Sequence, residues 1–225
     1  TITKAAALFQ TIEQAEEVKL NIVPGSTLQQ QKIKPGTGKH ILLIDHEDSF
    51  VHTLANYMRQ TGAKVTTLRH GFAESLLDRE EPDLVVLSPG PGNPSDFKVA
   101  ATVHACQQRH IPIFGVCLGL QGIVEAFGGE LGILDYPQHG KASQISVIGE
   151  DSTLFQGLPA SFAVGRYHSL HALSEKLPAE LKVTAITDDG VVMGIEHRRL
   201  PIAAVQFHPE SIMTLAGGVG QTIID

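Results

Sequence analysis

The run Ile111-Pro112-Ile113-Phe114-Gly115-Val116-Cys117-Leu118-Gly119-Leu120-Gln121 passes directly from an apolar segment into a helical one. Residues 111–116 read as a strand buried on both faces, which a parallel sheet requires. Residues 118–127 read as a helix that Gly128-Gly129 ends. Cys117 sits at the junction, with Gly115 and Gly119 two residues to either side. A tight strand-to-helix turn of this kind exposes a nucleophile at the carboxyl end of a sheet, and small flanking residues leave room for it. A helix N-terminus also favours the thiolate, the reactive form of cysteine. The contrasting case is Cys106, three residues after Val103 in a helical run, which reads as a small apolar core residue.

Working outward, Ile41-Leu42-Leu43-Ile44 is a continuous apolar run and reads as a first buried strand. Ser49 is placed to cap a helix carrying Phe50, Leu54, Tyr57 and Met58 and stopping near Gly62. Strands over 65–68 and 83–87 and a helix over 97–108 follow. Repeated β-α units of this kind predict an α/β fold, a doubly wound, mainly parallel sheet with flanking helices. After Gly129 the rhythm shifts to shorter strand-like pieces at 144–148, 162–164, 183–186, 191–195 and 202–207, and Gly217-Gly218-Val219-Gly220 opens a further helix. Residues 1–38 differ in kind. Ala5, Leu8, Ile12 and Ala15 keep a helical period over 2–18, and a Pro-, Gly- and Gln-rich stretch then reads as a linker. The expected division is an N-terminal helical segment and linker at 1–38 and an α/β domain at 39–225.

Composition narrows the chemistry. The 225 residues carry 17 Lys and Arg against 24 Asp and Glu, a net charge of −7 with no basic run, so nucleic acid is not an expected partner. No stretch approaches the length of a membrane span, no signal peptide is visible, and two Cys do not make a disulfide framework. A reducing, cytoplasmic setting is expected. The 11 His are dispersed. His168 and His171 stand three apart with no acidic or Cys residue to complete a site, so no metal is expected. Dinucleotide and P-loop fingerprints are absent.

A thiol nucleophile needs a base and a group to orient that base. His208-Pro209-Glu210 follows the last strand. Pro209 disfavours helix at His208, and in extended chain residues two apart face the same way, which lets Glu210 hold the His208 ring. Taken alone the tripeptide is a surface turn; paired with an elbow cysteine it makes a Cys-His-Glu triad. Acyl transfer also calls for an oxyanion hole. Ser88-Pro89-Gly90-Pro91-Gly92 follows the third strand, and because proline has no N–H, Gly90 and Gly92 are its donors between residues 89 and 92. The Leu118 N–H is the second candidate donor.

These motifs together resemble the class I, triad-type glutamine amidotransferases, over a match running from about Lys39 to the C-terminus. The segments that carry it are Ser88-Pro89-Gly90-Pro91-Gly92, Gly115-Val116-Cys117-Leu118-Gly119-Leu120-Gln121 and Phe207-His208-Pro209-Glu210-Ser211. Arg166-Tyr167-His168-Ser169-Leu170 and His139-Gly140-Lys141 look like the chorismate-utilising branch, the glutaminase components of anthranilate and aminodeoxychorismate synthases. Asp45-His46-Glu47-Asp48-Ser49-Phe50 looks most like fused bifunctional anthranilate synthases, which would make residues 1–38 the tail of a preceding synthase domain.

The resemblance implies a flavodoxin-like fold, with Cys117 as nucleophile, His208 as base, Glu210 as orienter, and the Gly90 and Leu118 amides as oxyanion hole. It further implies that Gly90, Pro91, Gly92, Leu118, Gln121, Ser169 and Leu170 hold the substrate. Leu120 departs from the His often found at its position. The implied reaction is hydrolysis of L-glutamine through a γ-glutamyl thioester. Ammonia would pass to a chorismate-binding synthase domain or subunit for anthranilate formation in tryptophan biosynthesis, or, as the alternative, for aminodeoxychorismate formation. No cofactor is implied for this domain; the synthase partner is expected to need Mg.

Overall fold

The computed structural model describes residues 34–149 and 152–225. The helix expected over 2–18, and the linker as far as residue 33, lie outside the described residues. The end of that linker is a packed turn. The Gly36 N–H donates to the Thr61 carbonyl at 2.9 Å, and Lys39 N–H closes back on the Gly36 carbonyl at 3.0 Å.

The elements alternate as the apolar runs predict, with one helix, α2, that the sequence reading does not expect: β1 (His40–Asp45), α1 (Val51–Gln60), β2 (Lys64–Arg69), α2 (Ser75–Glu80), β3 (Leu84–Leu87), α3 (Val99–Gln108), β4 (Ile113–Val116) and α4 (Leu118–Ala126). There follow β5 (Leu131–Val147), β6 (Ser161–Ala172), β7 (Leu181–Thr187), β8 (Val192–His197), β9 (Ile202–Val205) and α5 (Val219–Ile224). Among the described residues, one sheet of nine strands runs in the order β2-β1-β3-β4-β9-β8-β7-β5-β6. The β2-β1-β3-β4-β9 half is parallel throughout. From β9 onward every pairing is antiparallel, so the α/β fold is as expected but the sheet is evenly mixed.

Strands β1, β3, β4 and β9 of the parallel half are buried on both faces, whereas β2 at its edge has no fully buried residue. Ile41 and Leu43 of β1 join one apolar cluster with Val86, Phe114 and Val205, while Leu42 and Ile44 join another with Val85, Leu87 and Ile113. Parallel strands end at one edge, so the segments after β1, β3, β4 and β9 converge there, as open α/β sheets require of their ligand crevice.

Several boundaries differ from the sequence reading. Helix α1 starts after Phe50, and the Asp48 carboxylate, not Ser49, accepts the Phe50 N–H at 2.7 Å. Leu54 and Met58 are buried as expected, but Phe50 and Tyr57 stand only half-buried beside that stripe. The helix expected at 97–108 is broken by Lys98 in the left-handed conformation, which separates a 3-10 turn at Pro94–Phe97 from α3. Helix α2 gives no sequence signal because it has six residues and buries only Leu77, too little for a period to show. The pieces at 144–148 and 162–164 are parts of the long strands β5 and β6. Strand β9 stops at Val205, so Gln206 and Phe207 lie beyond it. No helix among the described residues is long and apolar enough to cross a membrane.

Candidate active site

Cys117 occupies the turn between β4 and α4 at φ 54° and ψ −103°, a conformation that a non-glycine residue adopts only when its surroundings enforce it. Hydrogen bonds hold it on both sides. Its N–H donates to the Val205 carbonyl at 2.8 Å, and its carbonyl accepts from the Gln121 N–H at 3.2 Å. The flanking glycines are required by contact. A Cβ at Gly119 would collide with the Leu87 carbonyl oxygen, and one at Gly115 would stand 2.8 Å from the Gly119 backbone. Helix and strands therefore approach closely enough to leave the thiol at the sheet edge, 5% exposed.

His208 follows β9 across a short irregular stretch. Its N–H donates to the Gly165 carbonyl at 3.1 Å, tying it to β6, and its carbonyl accepts from the Thr214 hydroxyl at 2.7 Å. Nδ1 lies 2.8 Å from Glu210 Oε1, with both side chains buried. The expected partnership is present, although its geometry comes from a turn at Pro209-Glu210 and not from extended chain. The Pro209 carbonyl seats directly on Gly220 of α5, where a Cβ would clash. Two aromatic rings enclose the imidazole, Tyr167 at 4.9 Å and Phe50 at 5.4 Å between centroids. Burial opposes the charge on His208, but its interactions with the Cys117 thiol and the Glu210 carboxylate outweigh this and hold its pKa well above the usual imidazole range.

The Ser88-Pro89-Gly90 loop crosses the same edge. His46, buried at the end of β1, braces it from beneath: its N–H donates to Ser88 Oγ at 3.0 Å, and its Nδ1 lies 3.1 Å from the Ser88 carbonyl. A Cβ at Gly90 would stand 2.7 Å from the His46 carbonyl oxygen and 3.2 Å from Leu118 Cδ1, so the loop lies flat against both. Leu118 opens α4, and its N–H belongs to the first turn, where no intrahelical carbonyl is available. Burial pushes the His46 imidazole down to about 4, so the brace is neutral at physiological pH.

Cys117, Gly90, Pro91, Gly92, Gln121, Ser169 and Leu170 line one cavity, together with His139, Tyr167 and His168. Its volume is about 270 Å³, just under the lower end of the usual small-molecule range. Every residue expected to hold substrate lines it except Leu118, whose side chain is buried against Gly90. Another cavity opens at the amino ends of the strands, among Leu84, Ile113 and Ile202, away from Cys117 and His208. Cys106 is buried in α3, its thiol pushed up to about 12 by burial, as expected of a core residue.

Four residues at the site carry no sign of their role in the sequence. Phe50 and Tyr167 read as a helix-stripe residue and part of a motif, whereas their rings pack on His208. His46 carries no periodic signal, and Gln206 reads as a strand residue. Gln206 is fully buried, and its Nε2 lies 3.5 Å from Cys117 Sγ.

Comparison with known proteins agrees with this geometry. Residues 42–219 match the family model described as glutamine amidotransferase class-I. An anthranilate synthase of Azospirillum brasilense is 61% identical over 84% of this chain, which spans 26% of that relative's length. Anthranilate synthase component 2 of Methanocaldococcus jannaschii is 45% identical over 78% of this chain and 87% of its own. Among solved structures, one described as a GMP synthase subunit from Thermoplasma acidophilum superposes with a TM-score of 0.73 at 27% identity, covering 82% of this chain and 89% of that one. An elbow cysteine and a glycine loop on one cavity, a buried histidine–glutamate pair at the same sheet edge, and one family model matched over most of the chain place the protein: it belongs to the class-I glutamine amidotransferase family.

Proposed function

We propose that this chain is the glutaminase part of an anthranilate synthase, hydrolysing L-glutamine and delivering ammonia to a chorismate-binding synthase. The observation that carries the reading is the Cys117 elbow opening into the same cavity as the Gly90 loop, with His208 held by Glu210 at 2.8 Å. The Cys117 thiol gives its proton to His208, and the resulting thiolate attacks the side-chain amide carbon of glutamine. Charge gathers on the amide oxygen, where the Gly90 and Leu118 N–H groups receive it. The C–N bond breaks with the His208 proton going to the departing ammonia, leaving a γ-glutamyl thioester. Water, deprotonated by His208, then releases glutamate and restores the thiol. Gln121, Ser169, Leu170 and the Gly90-Pro91-Gly92 segment hold the substrate.

The partner reading rests on the surface beside the cavity. Ile133 and Tyr136 of β5 and Ile212 after the His208 turn are 75%, 80% and 79% exposed. Ile133 pairs across the hairpin with Leu170, which lines the cavity, and Ile212 follows Ser211, whose Oγ lies 3.2 Å from the Tyr167 hydroxyl. Large apolar side chains exposed around a site mark a surface for association, and a synthase docked there would receive ammonia before it reaches solvent. The Azospirillum relative, named an anthranilate synthase, supports anthranilate over aminodeoxychorismate as the product.

The test supplies the chain with a chorismate-binding synthase, chorismate, Mg and glutamine and identifies the aromatic product. Anthranilate is expected, with glutamate release faster than from the chain alone; Tyr136→Ser with Ile212→Ser should remove that acceleration and leave the basal rate. Aminodeoxychorismate as the product would overturn the pathway assignment, and no glutamate release would overturn the glutaminase assignment.

A further inference from the structure

The nucleophile has a neighbour that the triad does not use. The Gln206 side chain is fully buried, with Nε2 3.5 Å from Cys117 Sγ. Amide nitrogen and oxygen are exchangeable in shape, so which of them faces the sulfur must come from the surrounding bonds. Those bonds fix it. The Leu170 carbonyl can only accept, so the Gln121 atom 3.0 Å from it is Nε2. The same Gln121 Nε2 lies 3.2 Å from Gln206, whose atom there must therefore be the oxygen. Only the Gln206 nitrogen is left to face Cys117.

The hydrogen-bonded chain continues outward. The Leu170 carbonyl also accepts from His168 Nδ1 at 2.8 Å, and His168 Nε2 in turn accepts from Arg166 Nε at 3.1 Å. A guanidinium can only donate, so the His168 tautomer is settled and its ring is neutral; burial, foremost, keeps it so, with a pKa of about 4. Donation thus converges on the Leu170 carbonyl from His168 on one side and Gln121 on the other, and Gln121, which lines the cavity, donates onward to Gln206, which donates to the sulfur.

We propose that Gln206 is a further catalytic residue, an N–H donor that stabilises the Cys117 thiolate and returns to the sulfur when the thioester breaks. An N–H aimed at sulfur gains strength when the sulfur is charged, so it favours the thiolate over the thiol. The backbone makes the placement permanent. Gln206 N–H is bonded to the Met193 carbonyl at 2.9 Å, and the preceding Val205 carbonyl accepts the Cys117 N–H. The end of β9 thereby sets both the nucleophile's backbone and its side-chain partner. The inference rests on the reading of Cys117 as nucleophile.

The test measures alkylation of Cys117 by iodoacetamide against pH in the whole chain, for wild type, Gln206→Leu and Gln206→Met. Neither replacement has a donor, and methionine keeps the length of glutamine if leucine packs poorly. The midpoint of the alkylation profile should rise by about one to two pH units, which is the worth of one hydrogen bond to a charged group. At pH values below both midpoints the rate should fall about tenfold to a hundredfold. A folded variant of either kind, shown by an unchanged far-ultraviolet circular dichroism spectrum, that alkylates with the wild-type midpoint would overturn the proposal. Failure of the underlying reading looks different: Cys117→Ala would go on hydrolysing glutamine, whatever the behaviour of Gln206.

Discussion

The parallel half of the sheet and the β5–β6 hairpin both reach the cavity, but they bring different things to it. Strands β1, β3, β4 and β9 end at one edge and deliver, in turn, His46, the Gly90 loop, Cys117 and the Gln206-to-Glu210 segment. Their backbones are buried on both faces, and the Cys117 turn holds its left-handed φ of 54° against that support. The hairpin brings the cavity wall, His139, Tyr167, His168, Ser169 and Leu170, on a strand pair whose register slips between Ile133 and Gln138 and again between His139 and Lys141. The lesson is a division by packing. Reacting groups hang from the ends of strands packed on both faces, and groups that shape the cavity and its mouth hang from a strand pair of irregular register at the end of the sheet.

The sharpest way to break this comparison is at the nucleophile. Cys117→Ala should lower glutamine hydrolysis by about 10⁶, because a nucleophile and its base act as a unit. Cys106→Ala, in the last turn of α3 and also buried, should leave the rate close to wild type. Measuring glutamate release from both variants decides it. Equal losses would mean that burial in the parallel half matters, and not position at the elbow.

A smaller effect tests the rigidity of the Gly90 loop. Gly90→Ala places a methyl group against the His46 backbone, which has no room to yield, so the loop must lift and carry its N–H away. The rate of glutamine hydrolysis should fall by about 10² to 10³, the worth of one oxyanion donor. A rate within a factor of about three of wild type would show that this N–H takes no part.

The smallest expected effect is on stability. His46 and His168 are held neutral in the fold, each with a pKa of about 4 against an ordinary 6.5. The unfolded chain binds protons there that the native chain does not, so stability rises with pH between about 4 and 6.5 and is complete above 6.5. Each site contributes up to about 3 kcal/mol across that window. His208 acts in the opposite sense. Its pKa is raised, so its contribution is full below 6.5 and declines as the pH climbs through the raised value. Urea unfolding midpoints should therefore peak near pH 6.5, and His46→Asn should flatten the acid limb by about half. An acid limb of unchanged slope in His46→Asn would place the buried imidazole's titration elsewhere.

The same contrast explains what can be read from the sequence. Four-residue apolar runs such as Ile41-Leu42-Leu43-Ile44 identify strands buried on both faces, and a cysteine between spaced glycines at the end of one identifies the elbow. Both are local signals. The hairpin gives almost none. Strand β5 has 17 residues, yet only Ile145 is fully buried, so neither alternation nor a run marks its length. His46 and Gln206 escape a sequence reading for another reason. Each acts through a partner distant in sequence, His46 on Ser88 and Gln206 on Cys117 and Gln121, and a pairing of that kind exists only once the sheet has formed. The His208–Glu210 bond is legible from spacing two, although a turn at Pro209 and not a strand delivers it.

The central claim, that Cys117 alone attacks the side-chain amide of glutamine, is tested most directly by covalent labelling. The chain is treated with a glutamine analogue bearing a diazoketone in place of the side-chain amide, digested, and mapped by mass spectrometry, with and without excess glutamine. Label on the Cys117 peptide only, suppressed by glutamine, is the expected result. Label on Cys106, or no label in a chain that still releases glutamate from glutamine, would contradict it.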